Sequence, residues 1–312
     1  MTTSRRDVLK LIGAVGAFKI AAEINKYALL TTTPESKEPI VNKSENPLGI
    51  FIDRDYPFVA WTLANVVIAR RLLDGLVFQP GESLGIVDKL FPDGTCDPDN
   101  VDPKKGFVVG KSFDQPWAKF PASGICKAST DIFRAALYGP MVVEQSSTHY
   151  SMHHNNPLFT NFPYGTDDSI YIDPPSNTKI DLVIHNPWKF PITLQYKLFG
   201  KDGQPLDEEA VMNHPLDDVD MGMGLWQKYI EVLQQVEVPI KDGYFPTKFA
   251  DRRVSTAIRF WPMTDKSTVP EWRSKVDVLP NEDGQIRINR ILEIDGEVAD
   301  NFTRTSSYNP IM

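Results

Sequence analysis

Apolar residues between Phe58 and Leu76 recur at spacings of three and four. Trp61, Ala64, Val67, Ile68, Arg71, Leu72 and Leu73 follow that period, which predicts a helix turned back by Pro80-Gly81. Ala128, Ile132, Ala135 and Ala136 share a second helical face over 126–138, stopped by Gly139-Pro140. Phe107–Val109, Met141–Glu144, Ile170–Ile172, Ile180–His185 and Ile192–Phe199 read as strands, the last two with two-residue alternation and Asn186-Pro187 as the turn between them. A further helix is expected at Leu225–Val236, with Trp226, Tyr229, Ile230 and Leu233 on its apolar side. Val254–Phe260 and Ile286–Ile294 are expected strands of a β-rich C-terminal half.

A helix-containing first half followed by mostly sheet predicts an α+β fold rather than a doubly wound α/β sheet. In the expected architecture the cysteine-bearing helix packs on a mainly antiparallel sheet. No repeat of 20–50 residues is visible, which excludes solenoids and propellers. Phe91–Pro103 is acidic loop that lacks the register and closing Glu of a calcium site, and reads as a solvated turn.

Ahead of these elements, Ser4-Arg5-Arg6-Asp7-Val8-Leu9-Lys10 precedes a brief apolar stretch, Leu11 to Phe18. A basic segment before a short apolar one is the layout of an export signal, and the paired arginines resemble the twin-arginine consensus. An amphipathic N-terminal helix is the alternative. Residues 31–48, rich in Pro, Ser, Glu and Lys, read as a linker, so the folded region is expected at 49–312. Export would place the protein in the periplasm or the extracytoplasmic cell envelope, touching membrane only through its N-terminal segment.

Composition narrows the function classes. The 312 residues carry 33 basic and 41 acidic side chains, a net charge of −8 with no Lys/Arg block, which argues against a nucleic-acid binder. No uncharged apolar run reaches the roughly 18 residues of a spanning helix. The 25 prolines and 19 glycines indicate many turns. Oligomeric state is not legible from these features.

The candidate chemistry centres on Cys126, at the expected first turn of the 126–138 helix, where free amides and the helix dipole stabilise a thiolate. Lys127 is expected to add positive charge nearby. Downstream lie partners in the order of a cysteine hydrolase: His149, with His153 and His154 as alternatives, then Asp167 or Asp168, with Asp181 in the next strand. Three readings stay open. Cys126 is a nucleophile, or an inert buried thiol, or one half of a disulfide with Cys96, the only other cysteine. The His149/His153/His154 cluster is poor evidence for metal, and neither metal nor cofactor is expected. His214 with Asp217, Asp218 and Asp220 forms a second polar group, better read as helix caps. Trp117, Trp188, Trp226, Trp261 and Trp272 fit either a ligand groove or the core, and the core is the better reading for most of them.

The stretch Cys126, Ser129-Thr130, Ala135-Ala136-Leu137 and Gly139 resembles the VanW-like family pattern G-x-C-Q-x-S-[ST]-x-x-[YF]-N-A-A-L-x-x-G, with Lys127 in place of Gln. The likeness continues through Val142-Val143-Glu144, His149, Gly165 with Asp167, Asp181-Leu182 with Asn186, and Pro191-Ile192. Upstream, Pro80-Gly81-Glu82-Ser83 is similar to the family's lead-in, and Asp295-Gly296 through Ser307-Tyr308 to its closing strand. Residues 207–275 read as an insertion within a VanW-like domain. The family is named for an accessory protein of vancomycin-resistance gene clusters, so the resemblance implies an exported envelope protein connected with peptidoglycan or its peptide fragments. The catalytic candidates Cys126, His149 and Asp167 rest on the order of thiol, histidine and aspartate in this chain, with Ser129, Thr130 and Asp181 as candidate binding residues. The order of helix and strands is also similar to transglutaminase-like and papain-like cores. The expected function is a thiol hydrolase or transpeptidase acting on peptidoglycan amide bonds, with a non-catalytic wall-binding or scaffold protein as the alternative.

Overall fold

The computed structural model describes residues 47–57, 60–97, 99–111, 119–149, 165–173, 178–200, 202–213, 253–264, 268–280 and 285–308. All of them belong to one compact unit, Lys43–Met312. The expected targeting segment, most of the linker, the 225–236 helix, Trp117, His153, His154 and the His214 group lie outside the described residues.

The fold is α+β, with mainly antiparallel sheets and a β-rich C-terminal half. The larger sheet has the order β1 (Gly49–Pro57), β11 (Arg253–Pro262), β10 (Ile192–Gly200), β2 (Val77–Phe78), every pair antiparallel. Its register follows the alternation of β10, whose Ile192, Leu194, Tyr196 and Leu198 are buried while Thr193, Gln195 and Lys197 are not. β11, inside the segment expected to be an insertion, lies at the centre of this sheet. Helix α1 (Ala60–Leu73) packs against β10. Beyond its end Asp74 accepts from the Tyr196 amide at 2.8 Å, which ties the helix to that strand.

A second sheet is the meander β12 (Trp272–Pro280), β13 (Ile286–Ile294), β14 (Glu297–Ser306). A third joins β3 (Ser83–Gly85), β9 (Val183–His185) and β6 (Val142–Gln145). Two-stranded ribbons are formed by β4 (Gly110–Lys111) with β5 (Lys119–Phe120) and β7 (Tyr171–Asp173) with β8 (Thr178–Ile180). Short helices α2 (Ile86–Leu90) and α4 (Glu208–Asn213) complete the described elements, with α3 (Cys126–Tyr138) at the centre.

Helix α3 packs against β1, β6, β11 and β12, and every residue from Lys127 to Leu137 is buried. Its apolar positions join the main core, but its polar ones must find partners inside the protein. The helix ends at Gly139, where only glycine fits, since any Cβ there would stand 2.2 Å from the Ala135 carbonyl oxygen. Arg290 of β13 donates to the Gly139 carbonyl at 2.7 Å, and Ser274 of β12 to that of Leu137 at 2.9 Å. The C-terminal meander thereby satisfies carbonyls that the helix end leaves over.

Two expected strands differ in the structure. Phe107–Val109 is irregular because its backbone bonds go elsewhere: Asn65 of α1 accepts from the Val108 amide and donates to its carbonyl, and Asn100 takes the Val109 amide. The expected strand Ile180–His185 is broken at Asp181-Leu182. There the Asp181 carboxylate accepts from the Val87 amide at 2.8 Å and the Leu182 carbonyl from that of Ile86, so both serve the start of α2.

Candidate active site

The chain reaches α3 through a tight turn in which Ala122 (φ 53°) and Gly124 (φ 91°) are left-handed. For alanine that conformation costs roughly 1–2 kcal/mol. At Gly124 a side chain is excluded twice over, since a Cβ would also stand 2.4 Å from Thr62. Asn65 braces the turn by donating to the Ser123 carbonyl at 2.9 Å. Ile125 donates to Ala122, Lys127 to Gly124, and both Ala128 and Ser129 to Ile125. Among the described residues these bonds occupy four amides of the first turn but not that of Cys126, so one amide rather than several is available to an anion.

Cys126 is a partly exposed free thiol. Its sulfur lies 3.4 Å from the Ile170 carbonyl oxygen and 3.9 Å from Ser169 Oγ, and the His149 ring is near enough to act on its protonation. His149 Nδ1 is 2.8 Å from Asp167 Oδ2, and the His149 amide donates to the same oxygen at 2.9 Å. With Nδ1 held by the carboxylate, the other ring nitrogen is left for the thiol. The His149 ring is 21% exposed and Asp167 is fully buried.

The electrostatics follow from these contacts. Burial pushes the Cys126 thiol up, but the hydrogen bond and charge of His149 outweigh it and the net shift is downward. Burial pushes His149 down, but Asp167 and Cys126 together raise it well above its ordinary value. Asp167 is pushed up by burial and pulled down to about 2 by the His149 side chain, its amide and Tyr308. Both shifts run in the direction of a thiolate–imidazolium pair. Cys96 is the contrast: burial, with the charge of Asp97, raises its thiol to about 11. Both cysteines are free, so the alternative of a Cys96–Cys126 disulfide is not realised.

Residues 62–204 match the family model described as VanW like protein. This segment is VanW-like. No curated protein and no solved structure matches the chain.

The VanW-like segment contains the expected candidates, and the structure sorts them. Cys126, His149 and Asp167 converge. Ser129 and Thr130 face inward and clamp the Asp167-bearing loop to α3: both hydroxyls donate to the Asp168 carbonyl, at 3.2 and 2.9 Å, and Thr130 Oγ1 accepts from the Asp168 amide. Asp181 stands at the start of α2, paired with Lys179 at 2.9 Å. Asp168 turns away from His149, accepting from the Ser147 amide at 3.1 Å. Burial and the neighbouring Asp167 raise its carboxyl to about 7, against the pull of Arg304 and Ser147. Lys127 does not add charge beside the sulfur. Its ammonium points into the core, to Asp131 and to Asp53 at 3.1 Å, because adjacent helical residues diverge by about 100°.

The sequence pattern gave no role in the site to Asn65, Ser169, Arg304 or Tyr308, although Tyr308 stands in the stretch similar to the family's closing strand. Arg304 and Tyr308 lie beyond the VanW-like segment, and Tyr308 is 141 residues from the Asp167 it touches. Trp188 is core, with its indole N–H on the Pro140 carbonyl at 3.1 Å. No group of three metal-ligating side chains occurs among the described residues.

Proposed function

We propose that this VanW-like protein is a thiol acyl-transfer enzyme of the cell envelope that cleaves amide bonds in peptidoglycan peptides. The observation that carries the reading is the Cys126–His149–Asp167 arrangement, with the thiol shifted down and the imidazole up. Cys126 thiolate attacks the scissile carbonyl carbon, and the resulting oxyanion accepts from the Cys126 amide. Collapse breaks the C–N bond while the His149 imidazolium gives its proton to the departing amine, leaving a thioester on Cys126. Water or a second amine then attacks, His149 takes the proton, and the thiolate leaves. The first course is hydrolysis and the second transpeptidation; they share one chemistry and neither needs a cofactor. Asp167 holds the ring tautomer and stabilises the imidazolium. The envelope setting draws support from the basic-then-apolar N-terminal segment, and the wall substrate from the VanW-like match.

The test is the pH dependence of Cys126 alkylation by iodoacetamide in folded protein carrying Cys96→Ser. A midpoint well below the ordinary thiol value of about 8.5, rising when His149→Ala is added, is expected. Incubation with cell-wall stem peptides should then yield a hydroxylamine-sensitive thioester on Cys126. An ordinary midpoint that ignores His149 overturns the enzyme and favours a non-catalytic wall-binding protein.

A further inference from the structure

We infer that Tyr308 and Arg304, at the end of the last strand and beyond the VanW-like segment, are positioning residues of the thiol site. On this view the site is complete only with that strand in place. The inference rests on the thiol-enzyme reading above. Asp167 Oδ2 is fully engaged by His149, through both the ring and the amide. Oδ1 receives the Tyr308 hydroxyl, so the carboxylate is held at both ends and cannot turn away from the imidazole. The Tyr308 oxygen itself accepts from the Gly165 amide at 2.9 Å, which ties the start of the Asp167 loop to the same side chain.

Arg304 joins the pieces that carry the three reacting groups. Its Nη2 donates to the carbonyls of Gly165 and Asp167, the latter at 2.6 Å, and so fixes the loop that presents Asp167. Its Nη1 donates to Ser146 Oγ at 3.0 Å, on the segment leading to His149, and lies 3.8 Å from Asp168 Oδ1. Its guanidinium stacks 4.2 Å above the ring of Phe133, on the helix that begins at Cys126. A planar fork with several donors makes these contacts at once, which an ammonium cannot. β14 is set by its pairing with β13, Arg304 opposite Ile288, so docking of the meander on α3 aligns the thiol, imidazole and carboxylate.

The test uses the full chain with Cys96→Ser and adds Tyr308→Phe, Arg304→Lys, His149→Ala or Val298→Thr. Alkylation of Cys126 is followed against pH, with near-UV circular dichroism to report the fold. Tyr308→Phe keeps the ring and its packing. It is expected to raise the alkylation midpoint by a fraction of the roughly one pH unit that one lost hydrogen bond to a charged group is worth, because the lost bond is to Asp167 and reaches the thiol only through His149, with the fold retained. Arg304→Lys should shift it in the same direction, and Val298→Thr, exposed on the same strand, should not shift it. A Tyr308→Phe profile that superimposes on its parent, while His149→Ala still moves the midpoint, overturns this inference and leaves the thiol enzyme standing. A parent midpoint that is ordinary and indifferent to His149 overturns both.

Discussion

Helix α3 carries two ionic clusters one residue apart in sequence. At Cys126 the thiol meets a partly exposed His149 backed by a buried Asp167. At Lys127 the ammonium enters the core, bonded to Asp131 and 3.1 Å from Asp53, with Thr256 at 3.4 Å. Arg134, one turn beyond Asp131, lies 3.9 Å from Asp53, and Tyr196 donates to Asp131 at 3.3 Å. Two cations and two anions there balance in formal charge, and all four side chains are almost completely buried. In the first cluster the thiol is lowered and the imidazole raised by each other, and both are partly exposed; the second has its opposite charges locked together. Buried charge becomes chemistry where one member can give up its proton to something arriving from outside, and structure where none can.

The largest expected contrast comes from breaking each cluster. Asp131→Ala leaves Lys127 with one anion fewer in the core and should destabilise the protein by about 3–5 kcal/mol, read from urea unfolding, with the alkylation profile of any folded fraction unchanged. The pair Lys127→Met with Asp131→Leu should cost far less than Asp131→Ala alone, because Asp53 and Arg134 still neutralise each other. If Asp131→Ala proves harmless, the cluster is not a structural lock.

Asp168→Asn comes next. A carboxyl raised to about 7 in the fold contributes stability that is present below its unfolded value of about 4 and lost as pH rises through 7. The amide removes that dependence and keeps the acceptor for Ser147. Wild type and variant should match near pH 4, and the variant should gain about 4 kcal/mol above pH 7, as read from melting at a series of pH values.

Asp167→Asn works with the opposite sign. A carboxyl lowered to about 2 contributes stability that is present above about 4 and lost as pH falls through 2. The variant should lose about 2 kcal/mol at neutral pH and converge with wild type in acid. It should also raise the Cys126 alkylation midpoint, since the imidazolium loses its counter-charge. The smallest effect is expected from Ser129→Ala, about 1 kcal/mol of stability with the alkylation profile intact, because Thr130 still holds Asp168. A shifted profile in that variant would place Ser129 in the reacting site rather than in its scaffold.

Legibility in the chain followed apolar periodicity and motif spacing. β13 was readable because its apolar residues alternate, and its observed span, Ile286–Ile294, matches the expected one. Its partner β12 was not, since Trp272-Arg273-Ser274-Lys275 offers mostly polar side chains to a pattern search, and β14, polar over Asp300-Asn301-Phe302-Thr303-Arg304, was marked only by its likeness to the family's closing strand. Likewise the strand expected over Ile180–His185 has the right alternation, but the buried Asp181 carboxylate takes its place at the start of α2 and interrupts the ladder. Ser129 and Thr130 were visible as motif positions, yet their hydroxyls face the Asp168 backbone, a direction that no spacing reveals.

What the sequence by itself determined is the α+β order, the thiol at a helix start, and a histidine and an aspartate following in an order that suits it. Those features are local: a helical or strand period, a turn residue, a motif within one stretch of chain. Tertiary structure alone decided that Asp167 rather than Asp168 or Asp181 holds the imidazole, that Lys127 is a core cation, and that Arg304 and Tyr308 complete the support. These choices depend on which side of a helix or loop a side chain leaves from and on what packs there from more than a hundred residues away, and neither is written in any short stretch of the chain.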